Sequence, residues 1–504
     1  MKRPLLLLLA AAGLAPPTRA QLPYQTVPTG ALRIELGGAF LPVTQEFADG
    51  DLRRLGDPIA ASPLFGTTLA SRLTALLGRP ASGGTSGTLT ADLMQQRGIG
   101  TIGLGVGVSS RLSLSARIPI VSIRTEWAVD HDGEGATLGL NPALRGDPGS
   151  QLFADQFDAA LGLLRTRRDA GDYASDPALQ ALADAVLADA PVWRARFVAT
   201  VVTPSTAELA LPLALSPDGS ELLAQATAWR DQLTGPLGIE GFTALPTLPV
   251  APVTTEDIAA LLTGASGFGL LPPDEIPLVA LGDVELEANY LLVARHDSST
   301  RRWFGAWLQG GVTAPTGTPP RHDRLRDLGT GDGQMDVTLG AVVEVGSGRF
   351  GLRAEGRYRR QMEGERVARV ADRDEFLVPV TRVATLRWDP GDEVTVTAQP
   401  FVRLADRLAL SGSLTWWQRG RDAWRAESGD PDSEVTRMGD GTAANALRLG
   451  AGLAYAHAGT HVDGVTRMPV EAGLSLERTV ASGEGLVARP LTTRLWFRVY
   501  ARLW

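Results

Sequence analysis

The stretch VTLGAVVEVGSGRFGLRAEGRYR, Val337 to Arg359, decides the fold. Val337, Leu339, Ala341, Val343 and Val345 take every second position, and Gly346-Ser347-Gly348 then offers a turn. The return run sets Phe350, Leu352, Ala354, Gly356 and Tyr358 on one face and Arg353, Glu355, Arg357 and Arg359 on the other. A period of two is a β-strand with two unlike faces. A soluble sandwich has no reason to place such a row of charges behind an unbroken apolar row.

The same alternation recurs outward from this hairpin. Leu32, Ile34, Leu36 and Phe40 share a face against Arg33 and Glu35. Ile102 to Val108 and Leu112 to Ile120 are joined by only Ser109-Ser110-Arg111. Further runs start at Val284, Phe304, Val394, Leu408, Leu447, Val470 and Leu495. The pattern predicts about twelve strands, with short connections after every even strand and longer ones after every odd strand. Loop length sorted by parity marks an outer-membrane barrel. The expected fold is therefore an all-β membrane protein: an antiparallel transmembrane β-barrel of about twelve strands with a long helical loop insertion. Closure requires the last strand to meet the first, setting Arg494, Arg498 and Arg502 beside Arg33 and Glu35. Aromatics at the strand ends, Trp303, Phe304, Phe350 and Tyr455 at one and Phe40, Tyr358, Trp416 and Trp417 at the other, are expected to form interfacial girdles.

The N-terminus agrees with export. Met1-Lys2-Arg3, an apolar run from Leu5 to Ala12 and Thr18-Arg19-Ala20 read as a signal peptide over residues 1–20, leaving 21–504 as the barrel. No segment reaches the ~18 apolar residues of a spanning helix. The absence of Cys excludes disulfides and thiolate chemistry, and the net charge of −8 gives no basic footprint for nucleic acid. The alternating C-terminal strand, 494–504, is expected to be read by the barrel-assembly machinery, although Arg498 and Arg502 occupy slots that such signals fill with apolar residues.

Two connections are too long to be mere turns. One spans about Thr44 to Met94 and predicts a helix over Leu64 to Leu77. The other, residues 129–280, keeps helical spacing at Phe153, Phe157, Leu161 and Leu164, and Asp176-Pro177 reads as a second helix start. Gly235 to Pro273 is Pro- and Gly-rich. This insertion would cap the barrel outside or plug its mouth.

Inward phases nominate the lumen lining: Arg33, Glu35, Glu285, Glu287, Arg295, Arg353, Glu355, Arg357, Arg359, Arg494, Arg498 and Arg502. A charge on the lipid face costs ~2–4 kcal/mol at mid-membrane, which directs these side chains inward. Such residues either line a polar channel or brace it with Glu/Arg pairs. No enzyme is expected and no catalytic, cofactor or metal residue is assigned. The histidines of YAHAGTH, His457 and His461, lack a neighbouring nucleophile, and DHDGEG (130–135) and GTGDGQMD (329–336) each hold only part of a Ca²⁺ ligand set.

Three stretches carry a family resemblance: GLGVGVSSRLSLSARIPIV (103–121), LGDVELEANYLL (281–292), and APTGTPP (314–320) with LGTGDGQMDVTLGA (328–341). Together they resemble the outer-membrane family named for the meta-pathway of phenol degradation, distantly similar to long-chain fatty-acid and aromatic-hydrocarbon transporters. The resemblance covers roughly 95–128 and 281–504. It implies a barrel of about twelve strands that passes small apolar or aromatic molecules. The expected function is a channel or transporter for such molecules by passive diffusion through a charged lumen, gated by the long loop 129–280, which the resemblance does not cover. Unlike the fatty-acid transporters, the chain has no plug segment before its first strand, so any plug must come from the loops. The alternative is a structural barrel whose long loop binds a partner, without transport. Expected partners are outer-membrane lipid, the assembly machinery and a small solute.

Overall fold

In hydrocarbon every backbone N–H and C=O must be paired within the protein, so a sheet of such strands has to close. The computed structural model describes residues 26–502 apart from 62–68, 83, 203–208, 266, 275, 428–431, 458–459 and 463–464. The expected signal peptide, the start of the Leu64 helix and Trp504 lie outside the described residues. The strands are β1 (Ala31–Val43), β2 (Thr88–Gly107), β3 (Leu112–Asp132), β4 (Val284–Asp297), β5 (Arg302–Ala314), β6 (Asp336–Ser347), β7 (Phe350–Gln361), β8 (Glu393–Ala405), β9 (Leu408–Arg419), β10 (Ala444–His457), β11 (Val470–Ala481) and β12 (Leu491–Arg502). Each pairs antiparallel with the next, and β12 returns to β1 with Leu36 opposite Phe497. The result is a closed twelve-stranded barrel.

Its outer face is the apolar row of each run: Leu36, Leu339, Leu495 and Phe497 are all exposed. A closed antiparallel barrel with an apolar outer belt and short turns at one end belongs to the bacterial outer membrane, with the short turns toward the periplasm. Phe497 sits mid-strand, opposite Leu36 and Ala472. Phe497→Arg should cost ~2–4 kcal/mol in urea titrations of barrels folded into phosphatidylcholine vesicles. Unchanged stability would mean that this face does not meet lipid.

The girdle expectation needs a correction. Phe40, Phe304, Phe350, Tyr358 and Trp416 are exposed on the outer face. Trp303 and Trp417 instead lie on the inward phase. Trp303 sits opposite Gly346, where a Cβ would come within 1.9 Å of its ring. Phe401 over Gly351 and Trp496 over Gly473 repeat the device. Inward glycines thus let large rings lie flat against the barrel wall.

The first long loop is shorter than expected because β2 begins at Thr88 rather than near Met94. Strand β1 covers β2 only between Gln95 and Val106, so Thr88–Met94 pairs with β3 alone and stands beyond the rim as a two-stranded ribbon. The longer helices are mounted there: α1 (Leu69–Leu77), α2 (Gly149–Ala170), α3 (Pro177–Phe197), α4 (Pro217–Thr234) and α5 (Thr255–Thr263). Asp176 caps α3 by accepting from the N–H groups of Ala178 and Leu179. Phe153, Phe157, Leu161 and Leu164 are all buried. Rings of Phe153 and Phe197 lie 5.1 Å apart, and those of Phe157 and Phe242 lie 5.4 Å apart, giving the insertion its own aromatic core. Helices α4 and α5 escape the aromatic pattern, but Ser216-Pro217 and the Thr254/Asp257 capping box mark their starts.

Between helices and rim lies a second core. Leu55, Leu93, Ile258, Phe268, Leu325 and Leu377 bring together the ribbon, the insertion and the loops 44–87, 315–335 and 362–392. These segments roof the barrel. At the opposite end Val27 is 3 % exposed, tucked against Gly105, where a Cβ would meet its Cγ2 at 3.2 Å. The alternating glycines of β2 therefore make room for Val27 and Pro28. The short segment before β1 thus packs against the inner wall at Gly105 and Gly107.

Candidate permeation path

Closure of the barrel assembles inward charges into networks. At the seam, Arg498 Nε donates to Glu35 at 2.6 Å, with Glu471 3.5 Å from the same guanidinium and Arg33 4.0 Å from Glu35. All four are buried or nearly so. On β6 and β7, Glu344 accepts from Arg353 at 2.6 Å and from Trp303 Nε1 at 3.1 Å. Arg357 lies over Gly340, pairs with Glu355 along its own strand and reaches Glu287 on β4 at 3.8 Å. Strands β4 and β7 are not neighbours, so this pair bridges the lumen side of two intervening strands. Arg117 meets Glu285 at 3.5 Å, and Arg359 lies 3.9 Å from both Asp336 and Glu393.

Of the residues nominated from sequence, Arg33, Glu35, Glu285, Glu287, Arg353, Glu355, Arg357, Arg359 and Arg498 share these networks. Arg494 keeps the inward phase but is exposed, 4.0 Å from Glu477, and Arg502 lies exposed at the strand end. Arg295 is a correction. The pairing of β4 with β5 slips between Ala306 and Trp307, which sets Arg295 opposite the outward Phe304. One bulged residue reverses every later side chain. Arg117, Glu344 and Glu471 were missed, although each occupies an inward phase of its run.

At the mouth lies the loop 315–335, which contributes Pro320, Leu328, Thr330, Gly331 and Asp332 to a pocket there. Its anchor is Asp283, at the start of β4. The Asp283 carboxylate accepts from the N–H of Gly317 at 2.8 Å and of Asp332 at 3.2 Å, while Thr316 and Thr330 donate to the carbonyls of Gly282 and Leu281. A Cβ on Gly331 would come within 2.3 Å of Asp283 Oδ2, so glycine is required there. The motifs LGD, PTG and LGTGD thus meet in one knot that pins both ends of the loop. Burial, with Asp283 nearby, pushes the Asp332 carboxyl above its ordinary range.

The middle of the loop is held by Arg326. It pairs with Glu46, which is 1 % exposed, donates to Leu55 O at 3.3 Å and lies 4.5 Å over the Phe376 ring. Its own carbonyl accepts from Gln95 at 2.6 Å. Beside it Arg373 joins loops 362–392 and 44–87 through Asp49 at 2.6 Å. That hydrogen bond and one from the Gly485 N–H hold the Asp49 carboxyl down at about 2. The contact is therefore present above the ordinary carboxylate range and is lost only as pH falls toward 2.

Beneath the roof is a chamber of about 470 Å³, lined among others by Arg97, Arg117, Asp283, Asp332, Arg366 and Trp388. A second cleft of about 290 Å³ lies outside it, between loop 315–335 and the strand Gly364–Arg369.

No family model matches the chain, and no curated protein does, so the family resemblance rests on the turn motifs alone. Several solved structures align over most of the chain. The COG4313 outer membrane channel from Pseudomonas putida F1 aligns at TM-score 0.40 and 11 % identity, covering 95 % of this chain and 97 % of that one. The translocator domain of the autotransporter NalP from Neisseria meningitidis gives 0.32 and 8 %, over 94 % and 90 %. The toluene transporter TodX of Pseudomonas putida gives 0.26 and 8 %, over 95 % and 90 %. Likenesses this distant decide nothing about function.

Proposed function

We propose that the chain is an outer-membrane diffusion channel for small aromatic molecules, which enter beneath the roof and descend through the charged lumen. The observation that carries this reading is the chamber of about 470 Å³ inside the mouth, under a loop pinned at both ends but covering the opening. In this reading the loop 315–335 is the gate, α5 ties it to the rim through the core shared by Ile258 and Leu325, and helices α2 to α4 obstruct the approach to it. The networks of Arg498 and Arg357 serve mainly to stiffen the wall.

The self-contained core of the insertion favours a second reading, in which the helices present a docking surface and nothing passes. The two differ in one measurement. The N–H of Val253 donates to Leu138 O at 3.4 Å, so a linker of about four residues can replace 142–252 without moving the flanking strands. Planar-bilayer conductance and benzyl alcohol uptake into proteoliposomes should rise in that variant over the full chain. Silence from both forms would overturn the channel and leave the docking surface.

A further inference from the structure

The chamber and the outer cleft share two lining residues, Pro320 and Arg366. They therefore lie side by side at the mouth, with Arg366 facing both, and mark out a route from the surface past the loop. Its charge is uneven. The outer cleft is lined by six arginines against three acidic residues, in a chain where acids outnumber bases 56 to 48.

Most charges on the route are already matched. Arg117 holds Glu285, Arg359 lies between Asp336 and Glu393, Arg324 holds Asp274, and Asp283 is occupied by two backbone N–H groups. Arg419 donates to Thr442 O at 3.1 Å and lies 4.0 Å from Asp422. Three guanidiniums make no ion pair among the described residues, and they are spaced along the route. Arg369 lines the outer cleft; it donates to the carbonyls of His322 and Val378, and its Nη2 is buried without a partner. Arg366 stands at the junction. Arg97 lines the chamber, its Nε buried without a partner.

A buried guanidinium carries five N–H donors that were solvated before folding, and leaving them unmatched is costly. Arg366, half-buried at the junction, is packed on one face only. Its Cζ lies 4.7 Å over the Trp388 ring, whose neighbour Trp424 stacks at 5.5 Å. Contact with a ring face engages the guanidinium plane but not its N–H edge. An aromatic carboxylate meets that edge: its oxygens take the N–H groups in a two-point pair, and its flat ring then extends in the guanidinium plane beside the tryptophan stack.

We infer that the route is a binding path for small planar carboxylates of the benzoate type, handed from Arg369 to Arg366 to Arg97. This rests in part on the channel reading, since it names that path's substrate class. The binding itself needs no transport.

The test is calorimetric titration of the detergent-solubilised full chain with benzoate, benzamide and acetate. Benzoate should bind at least about ten-fold tighter than benzamide, its neutral isostere, and than acetate, which lacks the ring, and should weaken as salt rises. R97Q and R366Q should each weaken benzoate at least about ten-fold while leaving benzamide unchanged, and both variants should keep the heat-modifiable mobility of a folded barrel. Equal binding of benzoate and benzamide, or benzoate binding indifferent to both substitutions, would overturn the inference. Acetate matching benzoate would remove the planar requirement and overturn it as stated. Benzoate that binds without permeating would sink the channel and leave this site standing. Aromatic permeation without benzoate preference would do the reverse.

Discussion

Replacing Glu35 with alanine should cost the barrel about 3–5 kcal/mol. Glu35 lies between Arg498 at 2.6 Å and Arg33 at 4.0 Å, with side-chain exposures of 11 %, 13 % and 6 % in that order. Removing the carboxylate leaves two buried guanidiniums facing each other at the seam where β12 closes on β1. The remaining acid, Glu471, lies 3.5 Å from Arg498. The measurement is the urea midpoint of barrels folded in vesicles, compared with R498A and with the double variant. The double variant should be far less damaged than the sum of the single ones, because removing both partners leaves fewer uncompensated charges. Additive losses would mean that the seam is not coupled. A stability change below about 1 kcal/mol in E35A would mean that water screens the network.

Arg326→Ala should open the mouth. The side chain ties loop 315–335 to Glu46, Leu55 and Phe376 at once, and Glu46 is almost fully buried. Arg53 still reaches Glu46 at 3.0 Å, so the acid is not abandoned, and the loss is set at about 2–3 kcal/mol. A shift of that size changes the open-to-closed ratio of the loop by roughly 30- to 150-fold. Single-channel recordings should show a matching rise in open probability, and amides of 315–335 should exchange faster while those of the barrel strands do not. Slower or unchanged exchange in that loop would show that the Asp283 knot, not Arg326, carries the closure.

The barrel was legible because lipid imposes a simple rule on each strand separately. Val337–Val345 and Phe350–Tyr358 each state their own two faces, and the polarity of those faces survives into the structure. Arg295 shows where the rule stops. A phase count assumes unbroken alternation, and a bulge opposite Ala306–Trp307 breaks it without any Gly or Pro to announce it. Arg117 and Glu344 show the converse: their phases were correct and readable, and only their isolation within Ser- and Val-rich runs hid them. Arg97 and Arg366 could not have been singled out at all. Their interest lies in what does not contact them, and that is a property of the assembled mouth.

Some features of this protein follow from the sequence by itself: the strand number, the lipid-facing rows, the sorting of short turns from long loops, and the outer-membrane address. These follow from periodicity and backbone pairing, which act over a few residues at a time. Tertiary structure alone decided the rest. It brought Glu287 to Arg357 across two strands, gathered the three glycine-rich motifs around Asp283, seated Val27 over Gly105 and pinned one loop at the mouth. Those contacts join residues far apart in the chain. Their partners are set by the curvature and closure of the barrel, which no local pattern encodes.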